Sequence, residues 1–158
     1  MRTTVFVILF LFGFCCNNLF AQKRLPNVVL NKLDGTVVTT NDISGNDTVV
    51  LSLWSTKCVP CKKELRAINK VYNEWHKDTG VKLYAVAIDN AKEKSTIRKM
   101  AKQGDWDFDV LLDDKKKLKK ALGIRAVPLT LIIKNNKIVY RQVGYTTGSE
   151  KKLFRMIK

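Results

Sequence analysis

Residues 48–54 read Thr-Val-Val-Leu-Ser-Leu-Trp, and only Ser55-Thr56-Lys57 separates them from Cys58-Val59-Pro60-Cys61. A short, β-branched, almost continuously apolar run bounded by turn residues suits a strand covered on both faces. Beyond Cys61, Leu65, Ile68, Tyr72 and Trp75 recur at spacings of three and four, which predicts a helix over residues 59–77 that ends before Gly80. A buried strand feeding directly into an amphipathic helix through a cysteine-bearing turn points to a layered α/β domain.

The rest of the chain extends that pattern. Residues 81–88 (VKLYAVAI) read as a second buried strand and residues 92–103 as a helix stopped by Gly104, which makes a βαβ unit with parallel pairing. Upstream, residues 28–33 and 36–40 flank Asp34-Gly35 as a hairpin, followed by a polar loop through Ser44-Gly45-Asn46-Asp47. Downstream, residues 108–112 form a short strand, and Asp113-Asp114 cap a brief helix that runs through Leu122 to Gly123. Past Pro128, residues 129–133 and 137–143 form a hairpin around Asn135-Asn136, and residues 150–157 a closing helix. With 46% hydrophobic residues, three prolines and no repeat, the composition excludes a disordered or collagen-like chain and fits one globular domain.

Residues 1–21 carry a basic start at Arg2, an apolar run over residues 5–14, and Ala21 before Gln22, the layout of a cleavable signal peptide. The run falls short of the roughly 20 apolar residues a spanning helix needs, so cleavage after Ala21 is expected over a retained anchor. Phe14 before Cys15, and Cys15 before Cys16, lack the small residue that precedes a lipid-bearing cysteine. Residues 22–158 then form the exported domain, in an oxidising compartment such as the periplasm. Of the four cysteines in the chain, that domain keeps Cys58 and Cys61.

A lone C-x-x-C is either half a zinc site or a dithiol redox pair. Zinc needs two further ligands, and the domain offers one histidine, His76, roughly 20 Å along the same helix from Cys61. The pair therefore reads as redox-active, with no metal and no cofactor. Two thiolates also suit Cu(I), so a copper chaperone is the alternative from another class. At a helix mouth the first-turn amides and the helix dipole stabilise a thiolate, which makes Cys58 the attacking sulfur. Lys57, Lys62 and Lys63 add weak positive potential. Cys61, one turn inside, is the resolving thiol.

The stretch Trp54-Ser-Thr-Lys-Cys58-Val-Pro-Cys61-Lys-Lys-Glu64 resembles the W-x-x-W-C-x-P-C-x-x-E signature of the TlpA/ResA-like thioredoxin-fold proteins, exported bacterial thiol:disulfide oxidoreductases. The likeness extends to Ala85-Val-Ala-Ile-Asp89, Leu111-Leu-Asp113 and Gly123-Ile-Arg-Ala-Val127-Pro128-Leu-Thr130, and so covers almost all of the exported domain. It implies a thioredoxin fold, a central mixed β-sheet flanked by helices, here with an N-terminal β-hairpin extension. It also implies a cis-proline at Pro128 facing the disulfide, with the Val127 backbone pairing to the substrate chain. Trp54, Val59 and Pro60 complete the expected substrate-binding set, with Trp54, like Trp106, open between the site rim and the core. Three positions depart from the pattern: Lys57 replaces an aromatic residue, Leu65-Arg66 lacks a helix-kinking proline, and Ser52 stands where thioredoxin buries an aspartate.

That last departure leaves Glu64 to handle the proton of Cys61. Its neighbours at i±3 and i±4 are Pro60, Cys61, Ala67 and Ile68, so no cation is spaced to pair with it. A partly desolvated carboxylate there has a raised pKa and can exchange a proton with the thiol; a solvated glutamate near the helix start is the alternative. The net charge of +15 and the run Lys115-Lys116-Lys117-Leu118-Lys119-Lys120 suggest a basic patch, but Leu118, Ala121 and Leu122 make an apolar stripe beneath it. The lysines are read as a solvated helix face, with no nucleic-acid partner. Contact with an anionic membrane surface is equally compatible with the charge. The expected partners are an exported protein bearing a disulfide or dithiol, such as apocytochrome c in the reducing direction, and a membrane electron donor, with the protein itself a monomer. A periplasmic dithiol oxidant is the competing direction.

Overall fold

The computed structural model describes residues 23–158; the signal segment expected over residues 1–21, its cut before Gln22, and Cys15 and Cys16 lie outside the described residues. The first elements of the described residues are the hairpin of β1 (Val29–Lys32) and β2 (Val37–Thr39), turned at Gly35 in a left-handed conformation (φ 101°), with Asp34 Oδ1 accepting from the Thr36 amide at 2.7 Å. Where the sequence suggests only strand end and loop, a short helix α1 (Thr40–Ser44) follows. Its start is a reciprocal cap: Thr39 Oγ1 accepts from the Asp42 amide, and Asp42 Oδ2 accepts from the Thr39 amide.

Next come β3 (Thr48–Trp54), α2 (Val59–Thr79), β4 (Lys82–Ala87), a 3₁₀ turn at Ala91–Glu93, α3 (Lys94–Gln103) and β5 (Asp109–Leu112). Helix α2 runs two residues beyond the expected end because Thr79 Oγ1 donates back to the Trp75 carbonyl and Gly80 terminates the helix in the left-handed region. The last elements are α4 (Lys117–Ala121), β6 (Leu129–Lys134), β7 (Lys137–Val143) and α5 (Ser149–Ile157). Asn135 and Asn136, both at positive φ, make the tight β6–β7 turn.

Among the described residues, seven strands form one mixed sheet in the order β2-β1-β5-β4-β3-β6-β7. Strands β3, β4 and β5 are parallel neighbours, joined by the α2 and α3 crossovers, whereas β6 and β7 are antiparallel. The N-terminal hairpin joins the sheet edge, with β1 antiparallel to β5 through Asn31↔Leu112 and Lys32↔Leu111. This is the expected thioredoxin-like arrangement of a central mixed sheet between helices.

Side chains alternate across β3. Val50 and Trp54 enter the core formed with α2, α3 and α5, while Val49, Leu51 and Leu53 enter the core formed with α1 and α4. The α4 stripe is narrower than expected: Leu118 and Leu122 are buried, but Ala121 is exposed. Five residues do not make a full amphipathic face, and Leu118 supplies the anchor of this one.

Candidate active site

Cys58 is the N-cap of α2 and is joined to Cys61 in a disulfide, with Cα atoms 5.3 Å apart. Its Sγ accepts from the Cys61 amide at 3.2 Å, so the helix start already directs a backbone donor at this sulfur. Pro60 lies in the first turn, where a missing N–H costs no hydrogen bond. Cys58 is half-buried and Cys61 fully buried. Cys58 is thus the sulfur of the pair open to the surface.

The approach to Cys58 is fixed by a carboxylate that sequence reasoning used only as a strand end. Asp89, just beyond β4, accepts from the Ser55 hydroxyl (2.9 Å), the Thr56 hydroxyl (2.8 Å) and the Thr56 amide (3.0 Å). The Cys58 amide in turn donates to the Ser55 carbonyl at 3.0 Å. The short connection between β3 and α2 is thereby pinned to the neighbouring parallel strand.

Glu64 lies on the same helix face as Cys61, 2% exposed. Its Oε2 accepts from Ser52 Oγ at 3.0 Å and its Oε1 from Thr130 Oγ1 at 2.8 Å. Ser52 on β3 and Thr130 on β6 are directly paired in register, so one carboxylate spans two adjacent strands. Burial pushes its pKa above the ordinary value of 4.5, and the two hydroxyl donors oppose that shift without cancelling it. No solvated helix face is available to Glu64. Ser52, at the position of the aspartate in thioredoxin, holds the carboxylate of Glu64.

Across from the disulfide, the Val127-Pro128 peptide is cis, and the Val127 carbonyl oxygen lies 3.6 Å from Cys58 Sγ. The contact brings the pre-proline backbone beside the more exposed sulfur of the pair. Val127 is half-buried, Pro128 is buried, and Val59 and Pro60 are exposed at the helix tip. Trp54 departs from its expected place in the substrate-binding set. It is fully buried, packs edge-on against Trp106 at 5.3 Å, and belongs to the core that contains Cys61. As the last residue of β3, it lies in the core rather than at the site rim. A cleft of about 330 Å³ opens beside Cys58, bounded by Ser55, Lys57, Ile88, Lys119, Ile124, Arg125, Ala126 and Val127.

A family model described as the AhpC/TSA family matches residues 21–142. The chain belongs to that family. Within it, the chain is 30% identical over 129 residues to the thiol-disulfide oxidoreductase ResA of Bacillus cereus, covering 81% of this chain and 72% of that protein. It is 31% identical over 140 residues to ResA of Halalkalibacterium halodurans, covering 83% and 77%. Among solved structures, an uncharacterized thioredoxin-like protein from Porphyromonas gingivalis superposes with a TM-score of 0.74 at 36% identity, covering 84% of this chain and 88% of that one. A putative thiol:disulfide interchange protein DsbE from Chlorobium tepidum matches in fold with a TM-score of 0.75 at 24% identity, covering 86% and 94%. This AhpC/TSA-family chain is thus a thioredoxin-fold thiol:disulfide oxidoreductase, in agreement with the resemblance to ResA-like proteins.

Two further side chains shape the site. Thr130 appears in the sequence only as part of a motif, yet it completes the hold on Glu64. Asp113 is 1% exposed and accepts from the Leu118 and Lys119 amides at 3.1 and 2.8 Å, which fixes the start of α4 beside the cleft. It caps α4 from a distance, because Lys116, in a left-handed conformation, occupies the N-cap itself. Burial raises the pKa of Asp113 and the backbone donors lower it. Among the described residues, no group of three or more His, Cys, Asp or Glu side chains is placed to hold a metal ion.

Proposed function

We propose that the protein acts outside the cytoplasm as a dithiol reductant of exported proteins, apocytochrome c being a fitting substrate, and that a membrane-bound dithiol donor recycles it. The Cys58 thiolate attacks one sulfur of a substrate disulfide, forming a mixed disulfide and releasing the other substrate sulfur as a thiolate. The Cys61 thiolate then attacks Cys58 Sγ, the substrate leaves as a dithiol, and the two electrons it gained are those lost in forming the Cys58–Cys61 bond. Backbone pairing along Val127 holds the substrate chain across the sulfur.

The observation that supports the reducing direction is the Glu64 carboxylate, buried one helical turn from Cys61 with no cation at helical spacing. A negative charge there disfavours thiolates, and a dithiol whose thiolates are not stabilised gives up its electrons more readily. The N-cap position of Cys58 acts in the opposite sense and supports the oxidant as the second reading. Equilibration with thiol redox buffers separates the two. A midpoint near or below about −250 mV is expected for the reductant, and one near −120 mV, the range of strong dithiol oxidants, overturns it.

Export carries its own test. Protein recovered from the cell envelope should begin at Gln22 without an acyl chain, and an intact or lipidated N-terminus by mass spectrometry overturns the soluble exported form. No helix among the described residues is long and apolar enough to cross a membrane.

A further inference from the structure

We infer that the cleft beside Cys58 is a recognition groove for acidic chain, so that the disulfides this protein exchanges with are flanked by Asp or Glu. The inference rests on the reading of Cys58 as the sulfur that meets protein disulfides, and it specifies which ones. Three cations, Lys57, Lys119 and Arg125, border the cleft around Ile88, Ile124 and Val127, and no carboxylate lines it. None of four other clefts combines three cations with no acid. The one between the hairpin and α3, for example, sets Lys32, Arg98 and Lys102 among Asp34, Asp105 and Asp109.

The nearby acids are already engaged. Asp89 takes three hydrogen bonds from Ser55 and Thr56, Asp113 is buried against the α4 amides, and Asp114 accepts from Asn31 Nδ2. Among the described residues, the salt bridges are Lys82–Asp47 and Lys158–Asp78, and neither involves a cleft cation. Among the described residues, Lys57, Lys119 and Arg125 therefore make no salt bridge and stay available to a partner's carboxylates.

Their backbones are also held in place. The Lys57 amide donates to Ser55 Oγ, the Lys119 amide to Asp113 Oδ2, and Arg125 lies two residues before Val127, whose carbonyl contacts Cys58 Sγ. A substrate strand laid along Val127 brings its neighbouring side chains within reach of these cations. Lys57 occupies the position where the ResA-like pattern has an aromatic residue, so the surface next to the sulfur is charged here. Exposed charges of this kind act mainly on encounter and on partner choice, in proportion to how little salt screens them.

The test uses cyclic disulfide peptides that differ only in having two Asp, two Asn or two Lys beside the cysteines, with release of peptide thiol by the reduced protein read as a second-order rate constant. In about 0.01 M salt the Asp peptide should react about tenfold faster than the Asn peptide, and the ratio should approach one in about 1 M salt, where the Debye length is ~3 Å. Lys119→Glu with Arg125→Glu should reverse the order and favour the Lys peptide. Comparing peptides within one variant cancels any change in Cys58 reactivity. A matched reversal at Lys77 and Lys137, at the ends of α2 and β7 away from the disulfide, should keep the Asp preference.

An Asp-to-Asn ratio at or below one overturns the groove while leaving dithiol exchange intact. So does an equal loss of preference in the Lys77/Lys137 control, which assigns the effect to the overall field of a basic protein. Failure to reduce any peptide overturns the exchange reading itself, and the groove with it.

Discussion

At the residue scale, α2 buries Cys61 and leaves Cys58 accessible, and the proposed reading gives the two sulfurs separate tasks on that difference. Cys58→Ser should abolish dithiothreitol-dependent reduction of insulin, and Cys61→Ser should accumulate mixed disulfides visible on non-reducing gels; unchanged turnover in both variants contradicts the assignment. Glu64 gives a second prediction with two readouts. If the carboxylate is ionised where the thiols titrate, Glu64→Gln removes its repulsion, so thiolate absorbance should titrate at lower pH and the disulfide should become a stronger oxidant. The pH dependence of stability has a fixed sign. With a folded-state pKa raised above 4.5, the contribution of Glu64 is fully present below that value and is lost as pH rises through the folded-state value. Denaturation of the oxidised forms should therefore show Glu64→Gln gaining on the wild type across that window, while the raised pKa of Asp113, common to both, cancels in the difference. Parallel stability curves contradict an ionising Glu64 in the fold. Glu64 is legible in the sequence because its helical neighbours offer no partner. Its actual partners, Ser52 and Thr130, lie 12 and 66 residues away and belong to other elements, beyond the reach of spacing rules.

At the scale of elements, the site depends on how the chain enters α2. Asp89→Ala removes the acceptor of three hydrogen bonds from Ser55 and Thr56, one of them from a backbone amide that would be left unpaired. A loss of about 1–3 kcal/mol is expected by chemical denaturation, together with a shifted Cys58 titration as the turn before the sulfur loosens. Asp89→Asn keeps one carbonyl acceptor and should recover part of both effects, and an Ala variant indistinguishable from the wild type in both contradicts the pinning. The strands and long helices could be read from periodicity, since β3, β4 and α2 each bury a regular set of apolar residues. Helix α1 could not, because its five residues are too few to show a period and its start depends on the reciprocal cap between Thr39 and Asp42. Trp54 shows where a motif alone stops. The motif leaves Trp54 open between rim and core, and the β3 register places the indole in the core.

At the scale of the whole molecule, the hairpin and the redox centre are separable. Leu30 on β1 is fully buried in the core of the α1 and α4 face, so Leu30→Ala should cost about 2–5 kcal/mol. The reduction potential should nevertheless stay at its wild-type value, because Cys58, Cys61, Glu64, Ser52 and Thr130 are supplied by α2, β3 and β6. A shifted potential would show that the edge of the sheet couples to the sulfurs. The parallel centre was legible from β-branched runs alternating with helices, but the docking of β1 on β5 was not, since no local pattern names the partner of an edge strand. That strand order also has a consequence for biogenesis. A nascent chain delivers its cysteine pair some seventy residues before Val127 and Thr130, so during synthesis the sulfurs are present without the carbonyl that faces Cys58 or the hydroxyl that anchors Glu64. In an oxidising milieu the Cys58–Cys61 bond can close on an unfinished chain, and its reactivity is set only when the sixth strand arrives.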